Sequence, residues 1–257
     1  MSSVLGKLRW SLHHRGFSGT LNAAVKSLCR KIQPAAAPQT HPFDLENGTD
    51  TGGLIAGADL ASGHASDLHI AGYAAVPPSR FRNIVGRWQV SNPPHPLADY
   101  TFVDIGCGKG RALLLSAEYG FREVVGVELN PSLAAIARSN ADLWSTAGKA
   151  RSPIRVEQAD AAELSFPPSP CVVFLFNPFG LELMRHLASR MAADFHNRED
   201  DLEVLYYKPE QAAAFADSFH MIWCEATAIS REDLAADPAA DPRDETRAYR
   251  LRRRSTS

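Results

Sequence analysis

Three glycines at alternate positions follow an apolar segment near the middle of the chain. They are Gly106, Gly108 and Gly110 in the segment VDIGCGKGR, and Asp104 comes two residues before the first of them. Glycine lets a backbone turn sharply and approach a ligand closely. A helix that begins after such a loop presents unpaired N–H groups to the same ligand. The segment therefore predicts a ligand-binding loop, and the adjacent acid favours a ligand with a cationic or amino group.

The glycine spacing differs from that of the dinucleotide-binding fingerprint. That fingerprint is G-x-G-x-x-G with pyrophosphate at the helix N-terminus, whereas here the third glycine comes one residue early and Ala112 would have to take the last place. A buried acid such as Asp104 is also a poor neighbour for a pyrophosphate. The sequence contains no Tyr-x-x-x-Lys pair that would support hydride transfer. A nicotinamide-dependent oxidoreductase is therefore the weaker alternative.

Strands and helices alternate along the second half of the chain. Strands are predicted at residues 101–105, 123–129, 154–158, 171–176 and 202–207, with two further extended runs at 221–229 and 246–252 joined by a hairpin-like connection at 237–245. Helices are predicted at residues 79–88, 110–120, 130–144, 180–195 and 210–219. Continuous apolar strands that alternate with helices indicate a mainly parallel sheet covered on both faces. The predicted fold class is α/β, with a seven-stranded, mainly parallel Rossmann-like sheet, helices on both faces and a C-terminal antiparallel strand pair.

From the acid and the glycines onward, the chain resembles the class I S-adenosylmethionine-dependent methyltransferases. Their signature is an acid, one residue and then G-x-G-x-G, which DIGCGKG matches, and the resemblance covers about residues 79–252. It implies S-adenosylmethionine as the cofactor. It also implies that Glu128, after the second strand, binds the ribose hydroxyls, and that Asp160 and Ala161, after the third, contact the adenine. The full set of predicted cofactor-binding residues is Asp104, Gly106, Cys107, Gly108, Gly110, Glu128, Leu129, Asp160, Ala161, Asn177 and Tyr73.

The fourth strand ends in FLFNPFG, where amino-group methyltransferases often carry Asn/Asp-Pro-Pro-Tyr/Phe. The resemblance implies catalytic roles for Asn177, as acceptor of a hydrogen bond from a substrate amine, and for Phe179, which would enclose the target. The second proline of that pattern is absent. Asn-x-Phe is also similar to the site of the non-SET histone-lysine methyltransferases. In addition, residues 72–81 of this chain resemble the Tyr-containing loop of that group, which implies a cofactor contact for Tyr73. The alternative is a strand-ending turn with Phe179 in the core.

The predicted function is an S-adenosylmethionine-dependent methyltransferase that acts on an amine, either a protein lysine or a small molecule. A methyltransferase-like protein that binds a cofactor or partner without catalysis is the main alternative. Nucleic acid is a weaker candidate acceptor, because the basic residues lie mainly at the two ends of the chain. The histidines are scattered and the four cysteines show no metal-ligand spacing, so no metal site is predicted.

Charge and composition divide the chain into three parts. Residues 1–42 are predicted to be a basic N-terminal arm with a helix at 21–32, followed by a linker. The helix would either contact a membrane or an acidic partner, or pack on the edge of the domain. Residues 43–98 are predicted to be a lid or cap segment with a helix, and 99–257 the methyltransferase core. In the cap, Asp50 and Thr51 are candidates to lie near the cofactor, although a mobile linker is the alternative. Lys109 and Arg111 are expected to be solvated.

Length and composition suit one globular domain with attachments. The chain has 257 residues, a formal net charge of −2 and 45% hydrophobic residues. No stretch approaches the roughly 20 apolar residues that a transmembrane helix needs, and the scattered cysteines fit a reducing compartment. A cytoplasmic location is therefore expected. Neither the acceptor nor the oligomeric state follows from the sequence.

Overall fold

A computed structural model describes residues 40–60 and 72–252. The predicted helix at residues 21–32, and the arm up to residue 39, lie outside these ranges. The helices are α1 Pro42–Asn47, α2 Pro78–Gln89, α3 Arg111–Ala117, α4 Pro131–Thr146, α5 Leu181–Asp194 and α6 Arg231–Ala236. The strands are β1 Leu54–Ile55, β2 Tyr73–Ala74, β3 Thr101–Ile105, β4 Glu123–Glu128, β5 Ile154–Gln158, β6 Cys171–Phe176, β7 Leu202–Tyr207, β8 Phe219–Glu225 and β9 Thr246–Leu251. No helix in these ranges is long and apolar enough to cross a bilayer.

The last seven strands form one mixed sheet in the order β5-β4-β3-β6-β7-β9-β8. Neighbours from β5 through β7 pair in parallel, whereas β9 runs antiparallel to both β7 and β8. The predicted fold class, a mainly parallel seven-stranded sheet with a C-terminal antiparallel pair, is confirmed. The strands β3, β4 and β5 follow one another toward one edge of the sheet, whereas β6 lies on the other side of β3, so the strand order reverses between β3 and β6. In such folds, ligands bind beyond the carboxyl ends of the strands at the point of reversal.

Side chains that alternate along the strands build a separate core on each face of the sheet. On one face, Phe102 and Phe174 pack with Phe81 of α2 and with α3 and α4. On the other face, Val103 and Leu175 pack with α5. Because both faces are covered, the central strands β3 and β6 are almost completely buried and mainly apolar, which is the pattern that predicted a parallel sheet.

Two predicted elements after β7 differ from the structure. The predicted helix at 210–219 is only a 3₁₀ turn, Ala212–Phe215, because β8 begins at Phe219 and leaves no room for a longer helix. The Phe215 ring fixes this turn by packing against Phe219 and Tyr249. The stretch between the last two strands is no simple hairpin either, because it contains α6, which Ser230 caps by accepting a hydrogen bond from the Asp233 N–H.

Candidate functional site

The glycine loop joins the end of β3 to the start of α3 at the point where strand order reverses. The N–H groups of Gly106 and Cys107 donate to the Val127 carbonyl at 2.9 and 3.1 Å, which ties the loop to β4. Gly108 adopts a left-handed φ of +56°, and a Cβ there would lie 2.2 Å from Tyr73 Cε2. Only glycine therefore fits under the Tyr73 ring. Gly110 instead is the N-cap residue of α3 and faces Ala137 of α4.

Two buried acids face each other across the ends of β3 and β4. Asp104 is 4% exposed and Glu128 is 8% exposed. Burial, and then the charge of Glu128, raise the pKa of Asp104 to about 8. Burial also raises the pKa of Glu128, although hydrogen bonds from backbone N–H groups oppose this. Asp104 is thus mainly protonated at neutral pH, and a cationic group nearby would favour its ionised form.

One cavity brings most of the predicted site residues together. Ten of them line it: Tyr73, Asp104, Gly106, Cys107, Gly108, Glu128, Leu129, Asp160, Ala161 and Phe179. Phe174, Phe176, Pro178 and Arg111 also line it. Gly110 and Asn177 do not. The cavity therefore has an acidic end at the glycine loop and an aromatic end at β6.

Asp160 follows β5 at the edge of this cavity. Its Oδ1 accepts a hydrogen bond from the Ala162 N–H at 2.8 Å, which starts the short 3₁₀ turn Ala161–Glu163. Ala161 itself is 6% exposed. The helix cap thereby holds both residues at the carboxyl end of the sheet, beside the acidic end of the cavity.

Asn177 marks an unusual backbone conformation at the end of β6. Its φ is +43°, which is uncommon for a residue other than glycine. Its Oδ1 accepts a hydrogen bond from the Tyr206 hydroxyl at 3.0 Å. This side chain therefore points to the neighbouring strand, while Pro178 and Phe179 reach the cavity wall.

The expectation that Lys109 and Arg111 are solvated is wrong. The Arg111 side chain is 1% exposed and pairs with Asp44 and Asp237. Lys109 Nζ donates to Asp50 Oδ1 at 2.7 Å. The partners lie 59 to 126 residues away in the chain, so no local sequence signal marks these contacts.

Asp50 and Thr51 lie beside the glycine loop but outside the cavity. They contact Lys109 and Arg111. Within the described ranges, no group of three His, Cys, Asp or Glu residues is arranged to hold a metal ion. Lys109 and Arg111 thus belong to a network that connects the cap segment to the glycine loop.

Residues 102–198 match a protein-family model whose description is "Methyltransferase domain". This range runs from β3 to just beyond α5 and contains the glycine loop, both buried acids and the end of β6. No curated protein matches the chain.

Three solved structures are similar to the chain at low identity. The ribosomal protein L11 methylase from Lactobacillus delbrueckii subsp. bulgaricus is 16% identical, covering 68% of this chain and 77% of that chain, with a TM-score of 0.44. An RNA methyltransferase from Salinibacter ruber, in complex with S-adenosyl-L-homocysteine, is 14% identical over 68% and 93%, with a TM-score of 0.41. Magnesium protoporphyrin IX methyltransferase from Synechocystis PCC 6803 is 12% identical over 68% and 80%, with a TM-score of 0.42.

Proposed function

We propose that this chain, whose residues 102–198 match a family model described as "Methyltransferase domain", is a class I S-adenosylmethionine-dependent methyltransferase that transfers the methyl group to an amine. The observation that carries the proposal is the aromatic end of the cavity, where Phe176 and Phe179 flank Pro178. The acidic end of the same cavity is the part that we assign to the cofactor. When bound, S-adenosylmethionine supplies an electrophilic methyl carbon on a sulfonium sulfur.

The residues at the acidic end fit this cofactor. A ribose offers two hydroxyl donors and an adenine offers an amino group, while Asp104, Glu128 and Asp160 supply acceptor oxygens around the cavity. We propose that Glu128 binds the ribose hydroxyls and that Asp160 with Ala161 contacts the adenine. Asp104 would favour the positively charged part of the ligand, because that charge stabilises its ionised form.

The aromatic end supports a nitrogen nucleophile. The rings exclude water, and loss of hydration lowers the pKa of an amine, so that its neutral form becomes more populated. The carboxylates that line the cavity, Asp104, Glu128 and Asp160, are assigned to the cofactor, so no other His, Lys, Asp or Glu among the described lining residues is left to take a proton from an alcohol. A neutral amine already has the lone pair that the reaction needs. Phe176, Pro178 and Phe179 would then align that lone pair and exclude water.

The sequence predicts catalytic and cofactor-binding roles for Asn177. Since its Oδ1 already accepts from Tyr206, we propose that it acts by holding Pro178 and Phe179 in place rather than by contacting the amine. Its left-handed φ supports this role, because strained backbone at a strand end is typical of functional sites.

A screen of matched acceptors tests the proposed function. Purified protein is incubated with S-adenosylmethionine and with sets of compounds that share one carbon skeleton but end in an amine, a hydroxyl or a thiol. Lysine peptides and a duplex and single-stranded nucleic acid complete the panel. We expect S-adenosylhomocysteine to form only with amines, and mass spectrometry to locate the methyl group on nitrogen. Faster product formation with an alcohol, a thiol or nucleic acid would contradict the proposal.

The division into an arm, a cap at 43–98 and a core at 99–257 is also a proposal, as is the cytoplasmic location. The assignment of residues 43–98 as a cap is supported by the contacts of Asp50 with Lys109 and of Thr51 with Arg111, beside the glycine loop. A choice between a protein lysine and a small-molecule amine depends on which of them reacts in the screen.

A further inference from the structure

Arg111, the first residue of α3, is a buried cation in the wall of the cofactor cavity. Its side chain is 1% exposed. Burying a guanidinium is unfavourable unless charged and hydrogen-bonding partners surround it. Arg111 has such partners on two distant segments, Asp44 in α1 and Asp237 after α6. The residue that follows the glycine loop therefore joins two segments that are distant in the chain to that loop.

Arg111 contacts the cap loop, residues 48–52, directly. Nε donates to Thr51 Oγ1 at 2.8 Å, and Nη2 lies 3.4 Å from Asp44 Oδ2. Nη1 donates to Asp237 Oδ1 at 2.8 Å, and the other oxygen of Asp237 lies 3.1 Å from His41 Nε2. Each edge of the guanidinium thus has a different partner, so its orientation is fixed.

Asp44 gives the cap loop its shape. Its Oδ1 accepts hydrogen bonds from the Thr49 hydroxyl at 2.7 Å, from the Thr51 N–H at 2.9 Å and from the Thr51 hydroxyl at 2.6 Å. Thr51 is fully buried. Arg111 and Asp44 therefore hold Thr51 from two sides.

Thr51 in turn positions an aromatic wall of the cavity. The Tyr73 hydroxyl donates to the Thr51 carbonyl at 2.6 Å, and the Tyr73 ring packs directly on Gly108. The contacts run from Arg111 to Thr51, then to Tyr73, and return to the glycine loop three residues before Arg111. A displacement of the guanidinium would consequently move the ring that covers the loop.

A second set of contacts joins the same two segments. Lys109 Nζ donates to Asp50 Oδ1 at 2.7 Å and to the Gly52 carbonyl at 3.0 Å. Asn140 of α4 accepts from the Asp50 N–H at 3.0 Å and donates to the carbonyls of Asp50 and Lys109, each at 2.9 Å. The glycine loop and the cap loop are thereby built as one unit.

We infer that Arg111 is a positioning residue for the S-adenosylmethionine site. Through Asp44 and Thr51 it holds the Tyr73 ring on Gly108, and so fixes the cavity wall before a ligand arrives. A wall that is already ordered improves affinity because binding does not have to order it. This inference concerns the cofactor site alone and does not depend on the acceptor being an amine.

Calorimetric titration with S-adenosylhomocysteine tests the inference without any catalytic turnover. Arg111→Lys keeps a positive charge but cannot contact all three partners. We expect it to weaken the Kd by roughly tenfold, the equivalent of one hydrogen bond to a charged group.

The matched control is Arg80→Lys. Arg80 is also fully buried and donates to the carbonyls of Asp241 and Asp244, but it does not line the cavity. This variant should lower the melting temperature and leave the Kd within about twofold of wild type. An unchanged Kd in Arg111→Lys, or equal weakening in both variants, would overturn the inference.

If Arg111→Lys does not fold, two substitutions at Thr51 test the same inference. Thr51→Val keeps the shape of the side chain and removes its oxygen, whereas Thr51→Ser keeps the oxygen. We expect weaker S-adenosylhomocysteine binding in Thr51→Val than in Thr51→Ser, and faster hydrogen exchange at residues 106–111. Equal affinity and equal exchange in the two variants would show that the contacts serve stability alone.

Discussion

Glu128 and Gly108 are joined by a hydrogen bond of 2.8 Å, from the glycine N–H to carboxylate Oε2. The other carboxylate oxygen, Oε1, accepts from the Asn130 N–H, also at 2.8 Å. Both oxygens therefore face a backbone donor, one on the glycine loop and one at the start of α4. Glu128 thus shapes the loop in addition to placing acceptor oxygens in the cavity.

Glu128→Gln should weaken cofactor binding although it preserves the size of the side chain. An amide has one oxygen and one NH₂ group, so one of the two backbone donors would meet another donor. We expect at least a tenfold loss of affinity for S-adenosylhomocysteine in calorimetry, about 1.4 kcal/mol or more. Glu157→Gln on β5 is the control, because Glu157 does not line the cavity. Wild-type affinity in Glu128→Gln would contradict the role assigned to this carboxylate.

Asp104 should make the ligand-free protein less stable as the pH rises. Its pKa in the folded state is about 8, above the ordinary 3.8, so the folded state binds more protons than the unfolded state between these values. The free energy of unfolding therefore falls across this window. Asp104→Asn carries no titrating group at this position, so its stability advantage over wild type should grow from pH 5 to pH 8 in urea unfolding. A difference between the two proteins that stays constant with pH would show that Asp104 does not titrate there.

Gly110 is the glycine of the loop that does not line the cavity, and Gly110→Ala tests whether it is needed for packing against α4. Gly110 has a φ of +89°, and an added Cβ would lie 3.3 Å from Ala137 Cβ. Gly120 has a similar φ of +83° with nothing within 4 Å, so Gly120→Ala measures the backbone strain alone, about 1–2 kcal/mol. Urea unfolding should show Gly110→Ala to be destabilised by roughly 1 kcal/mol more, because α4 is close. Equal losses in the two variants would mean that α4 relaxes freely.

Phe179→Leu should separate acceptor binding from cofactor binding. Phe179 lines the aromatic end of the cavity, and the loss of its ring removes the face proposed to contact the amine. With the acceptor found in the screen, we expect kcat/KM to fall about tenfold or more, while the Kd for S-adenosylhomocysteine stays within about twofold.

The control for Phe179→Leu is Phe166→Leu. Phe166 packs at the edge of the same core as Phe179, against Phe195, but it does not line the cavity. It should lower stability and leave kcat/KM unchanged. If both substitutions reduce kcat/KM equally, Phe179 has only a packing role.

Periodicity and caps predicted the sheet and its helices well because these signals are local. The predicted strands at 101–105, 154–158, 171–176 and 202–207 have the observed bounds. Asn130 caps α4 as predicted, since its Oδ1 accepts from the N–H groups of Ser132 and Leu133. The family resemblance, which rests on the acid and the glycines, likewise predicted that Glu128 at the end of β4 lies beside the loop after β3.

Local sequence signals did not predict the contacts between segments that are distant in the chain. Arg111 follows three glycines on a loop, and such a position is usually solvated; its burial depends on Asp44 and Asp237, which only the folded chain brings near. The helix α1 was also missed, because it is short and begins after His41, whose Nδ1 accepts from the Phe43 N–H in place of a usual capping residue. Asn177 matched a motif, but its contact with Tyr206 depends on the pairing of β6 with β7.

Binding of the adenosyl ligand by the cavity beside the glycine loop is the central claim, and calorimetry of the wild-type chain tests it most directly. Parallel titrations would use S-adenosylhomocysteine and NAD at the same protein concentration. We predict a single site for S-adenosylhomocysteine with a Kd on the order of micromolar and no measurable heat with NAD. Binding of NAD without S-adenosylhomocysteine, or of neither ligand, would contradict the account.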